Sequence, residues 1–162
     1  MRSLLLLRHA QTESSRPGSG DHARRLTPDG ERQAAALGDH LRSRQPPLDV
    51  VLCSSATRAQ QTVEAMRTAA PLVVSDRLYN AGADEILAVI RDLADDVWHV
   101  LVVGHAPGLP SVVHELADPA TSNPQALATI EWRFPAGTLA TMALTQAWPD
   151  VERAALVSVL LP

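Results

Sequence analysis

Lysine is missing from this chain: all fourteen basic residues among its 162 are arginine. Without lysine there is no Walker-type phosphate loop, whose lysine must reach the phosphates, and no Schiff-base chemistry on a side-chain amine. Cysteine occurs once, as Cys53, so no internal disulfide can form and nothing calls for an oxidising compartment. Aromatic residues make up 3% of the chain, which removes most stacking platforms for bases. A net charge of -4 and a pI near 5.8 lack the basic face of a nucleic-acid binder. No apolar run approaches the ~20 residues that span a bilayer. The opening run Leu4 to Leu7 is stopped at once by Arg8-His9, too soon for a signal peptide. The expectations are a cytoplasmic location and neither a nucleic-acid nor a membrane partner. With no His-Glu-x-x-His and no clustered cysteine, neither a metal nor another cofactor is expected.

What the chain does have is 46% hydrophobic residues, enough for one good core, so a single domain over 1–162 is expected. Apolar runs alternate with helical periodicity, which predicts an α/β layered domain around a mostly parallel sheet. Leu4 to Leu7 reads as the first strand, followed by a polar loop from Gln11 to Leu26. Thr27-Pro28 predicts a helix start, with hydroxyl cap and proline at the first helical position, and Ala34, Leu37 and Leu41 as its buried stripe. Leu48 to Cys53 predicts a buried strand, and Ala59 to Met66 a helix turning Val63 and Met66 inward. Leu72 to Val74 reads as a short strand, and Ile86, Ile90 and Leu93 as the face of a helix starting near Asp84. Val100 to Val103 is the most apolar strand, and Pro107 opens a helix ending near Leu116. Asp118 to Gln125 reads as a loop. Leu139 to Leu144 and Ala155 to Leu160 read as a closing strand pair joined through Trp148-Pro149-Asp150.

Three polar segments follow strands in this reading: Arg8-His9-Ala10, Ser54 to Arg58, and Gly104 to Gly108. In open α/β sheets ligands sit outside the carboxyl ends of the strands, so these segments can converge although far apart in sequence. Two of them lead into helices, whose first amides and positive dipole end favour an anion. Any one histidine or arginine there reads most simply as a loop or solvated residue. Two of each at three strand ends match what phosphoryl transfer needs: guanidinium forks for phosphate oxygens and a neutral imidazole as nucleophile. His22, His40, His99 and His114 lie on a presumed loop, helix faces or a strand, and read as structural.

The Leu-Leu-Arg8-His9-Ala10 opening, Ser54-Ser55-Ala56-Thr57-Arg58-Ala59-Gln60-Gln61-Thr62 and Val-Val-Gly104-His105-Ala106-Pro107-Gly108 resemble the histidine phosphatase superfamily. The short chain and Asp21 to Gly30 make it most similar to the phosphohistidine phosphatase SixA branch. The resemblance runs from the first strand to about Leu116. It implies a three-layer α/β/α domain with a mostly parallel central sheet, of the phosphoglycerate mutase-like fold. It implies His9 as a nucleophile that becomes transiently phosphorylated, Arg8 and Arg58 on the equatorial oxygens, and His105 donating a further hydrogen bond. Ser54 matches a serine common in the family, although a helix-capping role would explain it equally. Arg24 matches the family's loop arginine, which implies substrate contact. The family mechanism is metal-free.

Two departures bear on substrate. Ala10 stands where many members have glycine, and Asn80 stands where relatives that cleave phosphate esters place a glutamate to protonate the departing alkoxide. An amide cannot do this, and Asp21, Asp84 or Glu85 could substitute. An alkoxide needs an acid worth about 10²–10⁴-fold, whereas an imidazole can be protonated from solvent near its ordinary pKa of about 6.5. The sequence therefore points to a phosphatase acting on phosphohistidine of a phosphorylated protein. A small-molecule phosphomonoesterase and a non-catalytic phosphate-binding module are the alternatives. Cys53 and Arg58 have one residue too few between them, and no glycine, for a cysteine-dependent phosphate loop. Ala106 occupies the serine position of a nucleophile elbow.

Overall fold

The computed structural model describes residues 1–43 and 46–162. Its elements in chain order are β1 (Arg2–Arg8), α1 (Pro28–Arg42), β2 (Val50–Ser54), α2 (Thr57–Met66), β3 (Leu72–Ser75), α3 (Ala83–Arg91), β4 (His99–Gly104), α4 (Gly108–Leu116), α5 (Pro124–Trp132), β5 (Leu139–Leu144) and β6 (Ala155–Leu160). The six strands form one sheet in the order β3-β2-β4-β1-β5-β6. β1, β2, β3 and β4 pair in parallel, while β5 pairs antiparallel with both β1 and β6. Among the described residues no helix is long and apolar enough to cross a membrane.

Strand alternation divides the core in two. Leu4, Leu6, Val100 and Val102 point to the face covered by α3, α4 and α5, where Ile86, Ile90, Val112, Leu116 and Ile130 pack. Leu5, Leu7, Leu101 and Val103 point to the other face, against Ala34, Leu37, Leu41, Val63 and Met66 of α1 and α2. A three-layer α/β/α arrangement follows, and it explains why the central strands are continuous apolar runs: both faces are buried. Each such leucine contributes roughly 1.5–3 kcal/mol by leaving water.

Helix starts follow local chemistry. Thr27 caps α1 by accepting from the amide of Gly30, with Pro28 at the first position, as the sequence predicts. α3 ends at Arg91, so Leu93 packs on the core from beyond the helix rather than within it. The sequence reading lacks α5 altogether. Its signals are Asn123, whose side chain accepts from the amides of Gln125 and Ala126, Pro124 at the first position, and buried Ala126 and Ile130 four residues apart. β3 is an edge strand with Leu72, Val73 and Val74 each about half exposed, which accounts for its brevity.

Two glycines tie loops to the strand ends. Gly137, at φ 86°, donates its amide to the carbonyls of Arg8 and His9, a backbone position that side chains rarely adopt. At Gly108 an added Cβ would meet the carbonyl oxygen of Ala81 at 2.1 Å, so glycine lets the segment before α3 lie directly on the start of α4.

Candidate active site

Parallel pairing sets Arg8 beside Gly104 at the ends of β1 and β4, and the amide of His9 donates to the Gly104 carbonyl at 3.0 Å. The strands therefore deliver His9 and His105 side by side, with ring centroids 5.2 Å apart. Arg58 comes from the first turn of α2, just past the end of β2. Thr62, one turn later, accepts from the amide of Ala10 and donates to the carbonyl of Arg58, which locks the helix to the end of β1. His9, Arg58 and His105 are all buried, and Arg58 is only 2% exposed.

The hydrogen bonds define which nitrogen each ring offers. A carbonyl can only accept, so the 2.8 Å contact between His9 Nδ1 and the oxygen of Ala10 places the proton on Nδ1. His9 Nε2 then presents its lone pair and accepts from Arg58 Nε at 3.2 Å. His105 Nδ1 lies 3.1 Å from Arg58 Nη2, and its Nε2 lies 2.7 Å from the Ser54 hydroxyl. The guanidinium only donates, so with Arg58 on Nδ1 that nitrogen accepts and Nε2 donates to Ser54. A hydroxyl can reverse that bond. When Ser54 donates to Nε2, Nδ1 carries the proton and can donate to a phosphoryl oxygen instead.

Burial, helped by the charges of Arg58, Arg8 and Arg24, lowers the His9 pKa to about 4 against a smaller opposing effect of the Ala10 carbonyl. Burial, then Arg58 and His9, lowers that of His105 to about 3. Both rings are neutral at physiological pH, the form a nucleophile needs.

Positive charge surrounds the His9 lone pair. Arg8 Nη1 donates to the carbonyl of Phe134 at 2.8 Å, while its Nε is buried without a partner. Burial and the neighbouring charges of Arg24 and Arg58 lower the Arg8 pKa, which marks the three guanidinium groups as a cluster. Arg24 Nε is likewise buried and unpartnered. Unspent donors on crowded arginines are what a site for a polyanion requires, because burial without a partner is costly unless a ligand fills the role. Ser54 is fully buried behind His105, its hydroxyl also accepting from the amide of Ala56, so it touches the histidine rather than the mouth.

At the mouth, Asp21 and Arg24 are joined by Tyr79 and His22, which the motifs do not announce. The carbonyl of Asp21 accepts from Arg58 Nη1 at 2.8 Å, and its carboxylate accepts from Arg58 Nη2 at 3.1 Å and from the Tyr79 hydroxyl at 2.9 Å. Arg24 Nη2 is 3.4 Å from the other carboxylate oxygen. Partial burial pushes the Asp21 carboxyl up, but hydrogen bonds from Tyr79 and Arg58 and the charges of Arg58 and Arg24 outweigh it and hold it below its ordinary value. The edge of the Tyr79 ring meets both His22, at 4.8 Å, and His105, at 5.8 Å, and His22 Nε2 is 3.1 Å from the Ser55 hydroxyl. His22 therefore lines the rim. Asn80 is exposed in a left-handed backbone at φ 49°, Glu85 is bound by Arg77 at 2.6 Å, and Asp84 stands exposed at the start of α3. Among the described residues no three His, Cys, Asp or Glu lie together as a metal-binding group.

The family model for the histidine phosphatase superfamily (branch 1) matches residues 4–86, just over half of the chain. The chain belongs to the histidine phosphatase superfamily. An uncharacterized protein of Mycobacterium tuberculosis is 37% identical over 159 residues, covering 96% of this chain and 99% of that one. Among solved structures, a candidate phosphohistidine phosphatase SixA from Nakamurella multipartitia is 41% identical with a TM-score of 0.88, covering 99% of this chain and 96% of that one. A second such SixA candidate, from Agrobacterium tumefaciens, is 27% identical with a TM-score of 0.81, covering 99% and 98%. The similarity of this histidine phosphatase to SixA-type structures thus extends past Leu116, where the motif resemblance ends, to 99% of the chain.

Proposed function

We propose that this histidine phosphatase hydrolyses phosphohistidine on a protein, without a metal, through a phosphoryl group carried transiently on His9. His9 Nε2 attacks phosphorus, and Arg8, Arg58 and Arg24 hold the three oxygens over which charge spreads in the loose transition state. His105, switched by Ser54, donates from Nδ1 to the same group. Water then attacks phospho-His9, and the ring leaves neutral because Nδ1 keeps its proton on the Ala10 carbonyl.

The observation that carries the substrate class is the state of the carboxyl groups. Asp21, the one that reaches the arginine cluster, is held ionised by Arg58 and Tyr79, while Glu85 is paired with Arg77. With Asp21 held as a carboxylate rather than as a proton donor, an alkoxide departs slowly and an imidazole does not. A cytoplasmic location belongs to the same proposal, supported by a lone, buried Cys53. The test is a side-by-side assay of a phosphohistidine protein, a phosphohistidine peptide and an aryl phosphate, with acid and alkaline quench to trap the label on the enzyme. The highest kcat/KM for the protein substrate, with alkali-stable, acid-labile label on wild type and none on His9→Ala, supports the reading. A preference for alkyl or aryl esters would make the enzyme a small-molecule phosphomonoesterase.

A further inference from the structure

The single carboxylate bonded to Arg58 is in the wrong state for an acid and in a costly place for a bystander. Asp21 stands half exposed on the outward side of Arg58, whose own Nε touches His9 Nε2 at 3.2 Å, so the carboxylate lies within about 9 Å of the attacking nitrogen. A phosphoryl dianion arriving at the arginines would meet this like charge on the far side of the Arg58 guanidinium, and like charges repel at the dielectric of a protein surface. Some part of the substrate should therefore carry positive charge toward Asp21.

An imidazole leaving group does so. The ring of phosphohistidine has a second nitrogen, and when that nitrogen is protonated the phosphorylated ring is a cation that departs as neutral imidazole. Unprotonated, it would have to depart as an imidazolide anion. The enzyme already wires its own ring this way, since His9 Nδ1–H is held by the Ala10 carbonyl at 2.8 Å. We infer that Asp21 holds the substrate's leaving ring in the corresponding way, its carboxylate accepting the N–H of the imidazole nitrogen that does not carry phosphorus. This inference rests on the phosphohistidine reading above.

The step balances without a proton donor. The Nε2 lone pair of His9 forms the new N–P bond, the old N–P bond breaks with its electron pair passing to the substrate ring, and that ring leaves neutral with its far N–H intact. Arg58 and Arg24, which both pair with Asp21, have phosphoryl oxygens to turn to when substrate binds, and the carboxylate is then released to the ring by a charge-assisted bond. Tyr79 keeps one hydrogen bond on Asp21 Oδ2 and sets its ring against His105, so it fixes the carboxylate beside the reacting group. For an ester the same carboxylate faces a departing oxyanion and opposes it.

Asp21→Asn tests this, because the amide keeps the shape and an acceptor for Arg58 while removing the charge. The measurements are kcat/KM for a phosphohistidine peptide and for p-nitrophenyl phosphate, with vanadate affinity and Tm as checks on the site and the fold. The expected result is a loss of about 10-fold or more on phosphohistidine and a gain of a few-fold on the aryl ester, with vanadate bound at least as tightly. Equal losses on both substrates, or no loss on phosphohistidine, would overturn the role of Asp21. A wild-type enzyme inactive on phosphohistidine would instead overturn the parent reading, so the two failures are told apart by the wild-type arm.

Discussion

The floor and the rim of the site are built by different means. On the floor, His9 and His105 are fixed by backbone: β1 and β4 pair in register to Arg8 and Gly104, and the rings follow from strand ends. The rim residues Asp21, Arg24, Tyr79 and Asn80 are carried by two loops, which the hydrogen bond from the Tyr79 hydroxyl to the Asp21 carboxylate joins. The floor is buried, neutral in its rings and crossed by one nearly inaccessible guanidinium, whereas the rim is half exposed and carries the ionised carboxylate. A frame set by sheet pairing suits chemistry common to a superfamily. A rim set by loop side chains can change without disturbing it, and the role proposed for Asp21 puts substrate choice there.

Floor substitutions should therefore damage every substrate alike. His9→Ala is expected to lower kcat by about 10³-fold or more on phosphohistidine and aryl phosphate together, with vanadate still bound. Near-wild-type turnover of either substrate would break the distinction. Arg58→Ala and His105→Ala remove donors from the developing charge and should each cost about 10²–10³-fold in kcat, again regardless of leaving group. His40, exposed on α1, should tolerate alanine with little change on any substrate.

The same division explains what could be read in the sequence. Arg8, His9, Arg58 and His105 follow strands recognisable as apolar runs, so strand-end logic brings them together without coordinates. Ser54 and Arg24 were harder. The serine precedes a helix, where a cap and a histidine partner look alike, and its actual partner is 51 positions away. Nothing in the order Gly20-Asp21-His22 signals that this carboxylate meets a tyrosine 58 residues later, because two irregular loops meet by tertiary packing and not by a periodic pattern. α5 is hard to read for a different reason: its buried face is only Ala126 and Ile130, too narrow for a strong periodic signal, and its Asn-Pro start resembles a turn.

The neutral floor also has a cost that pH exposes. In the folded protein His9 titrates at about 4 and His105 at about 3, against about 6.5 for an unfolded imidazole. Above pH 6.5 both states are neutral and the rings make no pH-dependent difference. As pH falls below 6.5 the unfolded chain takes up protons that the folded rings refuse, so stability declines until about pH 4 for His9 and about pH 3 for His105. The loss at pH 5 should be on the order of 2 kcal/mol per ring. Denaturant unfolding at pH 7 and pH 5 should show a smaller decline for the His9→Asn, His105→Asn double variant than for wild type. An identical decline would mean that the floor rings protonate freely. Rim variants such as Asn80→Ala should leave the difference unchanged.

Ser54→Ala should fall between floor and rim. It removes the hydroxyl that sets the His105 tautomer but leaves the ring, its Arg58 contact and the arginine cluster in place. A loss of about 10-fold in kcat with little change in KM is expected on all substrates, with Ser54→Thr recovering part of it. A change confined to KM would place Ser54 in substrate contact.

The smallest effects expected are those of chelation and alkylation. Arg8, Arg24 and Arg58 already supply the charge that a metal would bring to the phosphoryl oxygens, so EDTA should leave kcat/KM unchanged. Loss of activity restored by Mg²⁺ or Zn²⁺ would demand a different floor. Cys53 lies in β2 beside Val103 of β4, on the buried face that α1 and α2 cover, and burial pushes its thiol up to about 12. Its thiolate is therefore negligible at neutral pH, and the thiolate is the species that iodoacetamide attacks. Native protein should keep its activity through an incubation that fully alkylates the urea-unfolded chain. Alkylation of Cys53 at the same rate in both states would mean that the face of the sheet carrying it opens readily, and the rigid floor would then have to be abandoned as the basis for delivering His9.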